Sequence, residues 1–345
     1  MEKKKKNKKR KLGSLLLLLF LTVVMLATST YAWFTANKTV TISDINVYVA
    51  TSSGLQISTN ATDWKTLILN DDITAGYTLQ DGGNTLDDKN QFPTELSPVS
   101  TVGTANAGLL NMYKGTVAAD MDDGGTFKLT ATKETEAKGT TGAFIAFDIF
   151  LKTEKAEDLY LQNGSGVTVT DAKADNGLQY ASRMAFVIEG NTTATDKPYN
   201  MANKFEASDI KILEPNYDGH TANGITNGQL YYTQYGDMSG LTAGKNNAKV
   251  AYDGVKDVIG TGIPLAQTNA TNNAEKFQRV TTIELKDDFS KAAETESNKL
   301  LYSSFPAGVT KMRVYLWIEG QDIDCENNAS GGTIKFDLKI TTNAK

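Results

Sequence analysis

The chain has 345 residues, of which 40% are apolar and 22% charged, enough to bury one large or two medium hydrophobic cores. Its net charge of −5 is unevenly distributed, because removing residues 1–32 leaves 27 basic and 39 acidic side chains, a net charge of −12. A chain this acidic is repelled by phosphate backbones, which excludes a nucleic-acid partner from the expected functions.

Residues 1–32 have the three-part pattern of a bacterial export signal. Eight basic side chains between Lys3 and Lys11 precede an apolar run from Leu15 to Ala27, and small residues follow. This run of 13 residues is shorter than the roughly 20 that span a bilayer. The pattern predicts a cleaved signal peptide and an extracellular or cell-surface protein. The competing interpretation is an uncleaved anchor from Leu12 to Phe34, and under either one only this N-terminal segment contacts the membrane.

The residues that end this signal carry a family resemblance. Thr30-Tyr31-Ala32-Trp33-Phe34-Thr35 resembles the end of the export signals of the TasA and camelysin family, secreted surface and matrix proteins of Gram-positive bacteria. The resemblance covers mainly residues 12–50. It implies a SipW-type signal peptidase as a partner during export, with Thr30 and Ala32 as the small residues before the cut and Trp33 as the first mature residue.

The rest of the chain is dominated by strand patterns. The first contains Val40, Ile42, Ile45, Val47 and Val49, with polar residues between them. Ala143–Lys152 is nearly all apolar, which is typical of a strand buried on both faces. Leu159–Leu161 and Val167–Val169, separated by a Gly- and Asn-containing segment, predict a β-hairpin. Further strands are predicted around Phe127 and Leu129 and at Ser182–Glu189, Asp209–Leu213, Gln229–Tyr235, Lys249–Tyr252, Arg279–Leu285, Lys311–Glu319 and Thr333–Thr341.

These patterns predict an all-β fold for residues 33–345. We expect a jelly-roll-like antiparallel β-sandwich with long loop insertions, preceded by the signal-peptide helix. Ile73–Gly108 and Asn191–Gln229 are long for hairpin connections, which usually have about 2–5 residues. Residues 190–275 are alternatively an inserted, loop-rich subdomain. Helical patterns are confined to Lys152–Asp158, Ala181–Ala185 and Asp287–Thr295.

The single cysteine and the single histidine restrict the possible chemistry. Cys325 excludes an intrachain disulfide, and we interpret it as a small buried residue, with a reactive or intermolecular thiol as the alternative. His220, in a Gly- and Asn-rich segment, leaves no second histidine for a catalytic triad elsewhere or for a two-histidine zinc site. The protease activity described for camelysin is therefore not carried over. We predict a protein that is not an enzyme, with a carboxylate-pair glycoside hydrolase as the enzymatic alternative.

Two acidic clusters contain the oxygen ligands that Ca²⁺ prefers. Neither matches the twelve-residue calcium loop, and the simpler interpretation is that these side chains solvate turns and discourage strand pairing at edges. We therefore predict no cofactor, with Ca²⁺ as a weak alternative. The first cluster comprises Asp322, Asp324 and Glu326, and the second comprises Asp120, Asp122 and Asp123.

Aromatic side chains raise the alternative of carbohydrate binding. Tyr231, Tyr232 and Tyr235 lie close together in the sequence and are the best candidates for exposed glycan contacts. Trp317 lies on a strand that is apolar on both faces, so core packing explains it more simply. A membrane-anchored adhesin or carbohydrate-binding module is the alternative function that these residues favour.

The leading functional hypothesis uses the N-terminal arm of the mature chain. After cleavage, Phe34–Ala50 would be an extended, β-prone arm that completes the sheet of a neighbouring copy, and repetition of this contact makes a filament. The resemblance to TasA implies fibre or surface-layer structure in the biofilm matrix. The competing interpretation is that this arm is the first strand of its own fold. The inserting side chains would be those of Val40, Ile42, Ile45, Val47 and Val49.

Overall fold

The computed structural model describes the following residues of the chain: 39–50, 54–81, 83–120, 126–162, 164–170, 177–193, 210–213, 221, 263–267, 283–284, 298–320, 322, 324–325 and 331–344. They form β-strands with only two short helices, which confirms the all-β prediction.

The described residues contain nineteen strands and two helices, α1 (Asn70–Thr74) and α2 (Leu178–Ala181). The strands before α2 are β1 (Val40–Val49), β2 (Gln56–Ser58), β3 (Leu67–Ile68), β4 (Thr78–Asp81), β5 (Asn84–Asp87), β6 (Glu95–Leu96), β7 (Ser100–Asn106), β8 (Leu109–Asp120), β9 (Thr126–Glu134), β10 (Ile145–Thr153), β11 (Glu157–Leu161) and β12 (Gly166–Val169). Those after it are β13 (Ser182–Thr192), β14 (Ile210–Leu213), β15 (Ile263–Gln267), β16 (Ile283–Glu284), β17 (Lys299–Phe305), β18 (Gly308–Ile318) and β19 (Thr333–Thr341).

The first sheet, sheet A, is built around β1 and β19. Its strand order is β17–β11–β19–β1–β3, with β12 also beside β19 and β6 also beside β1. The pair of β1 and β19 is parallel, and the other pairs of this sheet are antiparallel. Alternate residues of β19 are fully buried, as expected for a strand with one face on the core. These buried residues are Ile334, Phe336, Leu338 and Ile340.

The second sheet, sheet B, is covered on both faces. Its order is β16–β14–β13–β18–β10–β2, and every residue of β18 is buried. One face shares the largest hydrophobic core with sheet A, which gives a sandwich-like arrangement of two sheets. This shared core includes Phe147, Ile149, Val314 and Leu316 from sheet B and Phe336 and Leu338 from sheet A.

A further layer covers the second face of sheet B. A four-stranded sheet, β15–β9–β8–β7, contributes Leu110 and Met112 to a core with Tyr315 and Trp317. The hairpin of β4 and β5 packs against Phe150. The segment from residue 73 to residue 108, which was predicted as a long connection, contains the end of α1 and the strands β4 to β7.

The predicted hairpin of Leu159–Leu161 with Val167–Val169 is wrong. The corresponding strands, β11 and β12, do not pair with each other but follow each other along the same edge of β19, both antiparallel to it. Between these strands, the hydroxyl of Ser165 donates to the carbonyl oxygen of Gln162 and accepts from the N–H of Lys339 in β19. Gly164 has a positive φ of 82°, a conformation that glycine adopts without steric cost.

Two predicted helical patterns are also corrected. Lys152–Asp158 contains the end of β10 and the start of β11, because pairing with β18 extends to Thr153. Ala181–Ala185 includes only the last residue of α2, and from Ser182 onward the chain pairs with β18 as β13. In both places, pairing across the sheet overrides local helix propensity.

Several predictions fall outside the described residues: the signal peptide, the strands at Gln229–Tyr235 and Lys249–Tyr252, the helical pattern at Asp287–Thr295 and most of residues 190–275. Within the described residues, no helix has the length and hydrophobicity needed to cross a membrane.

We predict that Phe336→Ala lowers the free energy of unfolding by about 3–5 kcal/mol, because the side chain is fully buried between the two sheets and its loss leaves a cavity. The control is Leu300→Ala on the edge strand β17, where 43% of the residue is exposed and about 1 kcal/mol or less is expected. Chemical denaturation followed by circular dichroism measures both. Equal losses for the two variants would contradict the assignment of the core.

Candidate functional site

The five apolar residues predicted to insert into a neighbour all lie on β1, within the chain's own sheet A. Eight residues of β1 are in register with β19, from Thr41 opposite Thr333 to Val49 opposite Ile340. The backbone of β1 is thereby paired along nearly its whole length with the last strand of the fold. We call the space that β1 occupies between β19, β3, β6 and α1 the β1 slot.

A bulge explains how both halves of β1 reach the core. The apolar residues change parity between Ile42 and Ile45, so a regular strand would point one set outward. The register with β19 shifts between Ile42 and Asp44, which places one extra residue, Ser43, in β1. As a result the buried side chains include Val40 before the bulge and Ile45, Val47 and Val49 after it, while Ile42 packs against the core partly buried.

The edge of β1 opposite β19 is covered by three short elements. β6 pairs with Val40 and Thr41, and β3 pairs with Val47 and Tyr48. Between them, the side-chain amide of Asn70 from α1 takes the place of a peptide unit. The N–H of Ile45 donates to Asn70 Oδ1 at 2.8 Å, and Asn70 Nδ2 donates to the carbonyl oxygen of Ser43 at 3.3 Å.

On the outer face of sheet A, a polar pair joins the two central strands. Asn46 Nδ2 donates to Asp337 Oδ1 at 2.9 Å, and Asn46 is only 9% exposed. Lys335 Nζ lies 3.2 Å from the same carboxylate oxygen. At the bulge, the hydroxyl of Ser43 donates to the carbonyl oxygen of Ile334 at 3.2 Å. Polar contacts thus accompany the apolar ones along the whole slot.

A buried cluster of charged side chains, which the sequence patterns did not predict, lies on the second face of sheet B. Arg313 Nη1 donates to Asp148 Oδ1 at 2.5 Å, and Arg313 Nη2 donates to Glu136 Oε1 at 2.8 Å. Lys311 Nζ lies 3.2 Å from Asp148 Oδ2 and forms an ion pair with Glu189. The cluster therefore ties β10, β13 and β18 to the segment that follows β9.

The pKa values of the cluster follow from its burial and its charges. Burial opposes ionisation of Asp148, but Arg313 and Lys311 outweigh it and hold the pKa of this carboxyl below its ordinary value. Burial raises the pKa of Glu136, and the positive charge of Arg313 offsets this only in part. Burial and the neighbouring charge of Asp148 raise the pKa of Glu189. Because three carboxylates face two cations, ionisation of all three is electrostatically unfavourable.

Further polar groups complete the hydrogen bonding of the cluster. Tyr77 donates its hydroxyl to Asp148 Oδ2 at 2.7 Å, and burial beside that carboxylate raises the pKa of the tyrosine, so it remains a donor. Arg313 Nη2 also donates to the carbonyl oxygen of Lys89 at 2.7 Å. These contacts give the cluster a structural role, because they link sheet B to the layer that covers it.

In the first predicted calcium cluster, the two described carboxylates are bonded to other residues of the protein. Asp322 forms an ion pair with Arg183 at 2.6 Å, and Asp324 accepts hydrogen bonds from the N–H and hydroxyl of Thr221. Within the described residues, no group of acidic, histidine or cysteine side chains is arranged to hold a metal ion. Cys325 is buried, at 4% exposure. Glu326, Asp122 and Asp123 lie outside the described residues, and Asp120 is the last residue of β8.

Of the aromatic candidates, Trp317 is fully buried, and its Nε1 donates to Glu319 Oε2 at 3.2 Å. Trp64 is partly buried, with Lys152 Nζ 5.4 Å from its ring centroid. The remaining site predictions fall outside the described residues, namely the cleavage residues Thr30, Ala32 and Trp33, the glycan candidates Tyr231, Tyr232 and Tyr235, and His220.

No family model, curated protein or solved structure matches this chain. The resemblance to the TasA and camelysin family therefore stays a prediction.

We predict that Asn70→Ala lowers the free energy of unfolding by about 1–3 kcal/mol, because it leaves the N–H of Ile45 and the carbonyl of Ser43 without the amide that pairs them. Asn84→Ala on the exposed hairpin strand β5 is the matched control and should change the free energy by about 0.5 kcal/mol or less. Urea denaturation of both variants measures the difference, and an unchanged midpoint for Asn70→Ala would contradict the role of its amide.

We also predict that Glu136 makes the free energy of unfolding depend on pH. Its pKa is raised by folding, so above its ordinary value of 4.5 the folded chain holds a proton that the unfolded chain loses, and stability falls as pH rises. Glu136→Gln removes this dependence. The deficit of the variant relative to the original chain should therefore shrink as pH is raised from 4.5 to 7, as measured by urea denaturation at each pH. A deficit that grows over this range would contradict the raised pKa.

Proposed function

We propose that this chain is a secreted structural protein of the bacterial cell surface or biofilm matrix, which assembles by donating β1 of one copy to the β1 slot of the next. The proposal combines the export pattern of residues 1–32 with the position of β1 in the fold. The jelly-roll-like connection of strands predicted from the sequence is part of the same proposal, and the sandwich-like all-β architecture supports it.

The observation that carries the proposal is the parallel pairing of the first strand with the last. No hairpin turn joins β1 to β19, because the two strands lie at opposite ends of the chain and point in the same direction. Every contact that holds β1 to β19 is therefore non-local in sequence. A β1 strand from a second copy would make the same contacts in the same slot, which is the condition for exchange of an identical element.

Hydrophobic burial requires the slot to be filled. Val40, Ile45, Val47 and Val49 are at most 6% exposed, and burying each such side chain contributes about 1.5–3 kcal/mol. An empty slot would expose these side chains and the core residues beneath them. The strand that leaves its own slot must consequently enter another, so exchange couples one copy to the next.

The polarity of the exchange favours an extended assembly. Each copy has one β1 to give and one slot to fill, so the contact between copies is head-to-tail. Repetition of such a contact makes an open filament unless the rotation between copies closes a ring. The paired backbone of β1 and β19 would supply affinity, and the buried side chains would supply specificity, as in other strand-addition complexes.

A cross-linking experiment tests the proposal. Tyr48 and Lys339 are opposite each other on β1 and β19, and both are only partly buried. Chains carrying Tyr48→Cys and chains carrying Lys339→Cys are secreted from one culture and treated with a short thiol-to-thiol cross-linker. Exchange predicts a covalent dimer containing one chain of each kind, together with filaments in electron micrographs of the same sample.

The matched control replaces Lys339→Cys with Thr85→Cys, at an exposed position of β5 away from the slot, and should give no dimer above background. Chains with neither added cysteine control for Cys325. Monomers at all concentrations with the slot pair would contradict the proposal.

A further inference from the structure

The apolar pattern of β1 leaves one ambiguity in the contact between copies. Sliding β1 by one residue would turn its buried side chains outward, so the core forbids that register. Sliding it by two residues keeps Ile45, Val47 and Val49 on the buried face, opposite another alternation of apolar residues on β19. Hydrophobic burial by itself therefore does not fix the register of an incoming strand.

The contact between Asn46 and Asp337 favours the observed register over the two registers that are slipped by two residues. In the observed register the amide of Asn46 donates to the carboxylate of Asp337. A slip of two residues in one direction would place Asp44 opposite Asp337, so two carboxylates would face each other. A slip in the other direction would place Tyr48 there, and Asp337 would lose its amide donor. Both slipped registers are penalised at the same position.

Two further contacts mark the observed register at the bulge. The hydroxyl of Ser43 reaches the carbonyl oxygen of Ile334, and the amide of Asn70 contacts the backbone on both sides of Asp44. The bulge is a local feature of β1, whereas β19 is regular. A slipped strand would carry the bulge away from Asn70 and Ile334, so these contacts would be lost together.

We propose that Asp337 and Asn70 are specificity residues of the β1 slot, which select the β1 strand of a second copy of this chain and fix its register through Asn46 and the Ser43 bulge. This inference rests on the proposed function and adds the means by which the slot distinguishes the correct strand, in the correct register, from other apolar strands.

The test uses the same cross-linking pair, with charge changes at the contact between Asn46 and Asp337. The donor chain carries Tyr48→Cys with or without the paired changes Asn46→Asp and Asp337→Asn, which keep a carboxylate opposite an amide in the donor's own slot. The acceptor chain carries Lys339→Cys with or without Asp337→Asn. The donor with both Asn46→Asp and Asp337→Asn should lower the dimer yield at pH 7 by about fivefold or more, because two carboxylates face each other only when its β1 enters the slot of the unchanged acceptor. Combining this donor with the Asp337→Asn acceptor should restore the yield, because an amide again faces a carboxylate.

Two controls separate recognition from folding. A donor with Asn84→Asp adds the same charge on the exposed strand β5 and should cross-link like the unchanged donor. A chain with Asn46→Asp, Asp337→Asn and Lys339→Cys, tested as acceptor for the doubly changed donor, shows whether that variant folds with a working slot.

The outcomes distinguish this inference from the function on which it rests. Absence of a dimer from the two chains that carry only their cysteine changes would overturn the exchange and the inference together. A normal dimer from the doubly changed donor and the unchanged acceptor would overturn the inference alone. Loss of the dimer without rescue by Asp337→Asn in the acceptor would also overturn it, because the loss would then not arise at this contact.

Discussion

The parallel pairing of β1 with β19 is the interaction on which the rest of the structure depends. It joins the first and last strands of the described fold, and both contribute buried side chains to the core shared by the two sheets. Because this pairing has no local turn to hold it, its strength must come from apolar burial, the ladder of backbone hydrogen bonds and the few polar contacts around Ser43, Asn46 and Asn70. Because no local turn joins β1 to β19, exchange of β1 between copies is physically reasonable.

The buried cluster around Arg313 gives sheet B a second kind of constraint. A buried charge pair contributes little net stability relative to apolar packing, but removing one partner is costly because the other remains buried. Arg313, Asp148 and Glu136 therefore restrict how the covering layer sits on sheet B, since the charges are satisfied only in one arrangement. Sheet B is thus held on one face by apolar contacts with sheet A and on the other by both apolar and charged contacts. The sheet that packs against the β1 slot is therefore fixed on both of its faces.

Local patterns in the sequence predicted the strands better than they predicted their partners. The strict alternation in Thr333–Thr341 matches β19 residue for residue, because one face of that strand is buried and the other is polar. The parallel partner of β19 and the line formed by β11 and β12 depend on contacts between distant segments, which alternation does not encode. The parity change between Ile42 and Ile45 was a visible sign of the bulge. Asp148, a single carboxylate inside an otherwise apolar strand, was the available sign of the buried charge cluster.

In strand exchange, β1 fills its own slot in the monomer and a neighbour's slot in the assembly. Electron paramagnetic resonance measures the distance between spin labels at positions 48 and 339 of one chain. The labelled chain is diluted into an excess of unlabelled chain, so that the two labels of a pair belong to the same chain. Strand exchange predicts a short distance between the labels in the monomer, because the two positions are opposite each other in the ladder. That short distance should disappear on assembly, since the labelled β1 would then lie in an unlabelled neighbour. A short distance that persists in filaments would contradict strand exchange.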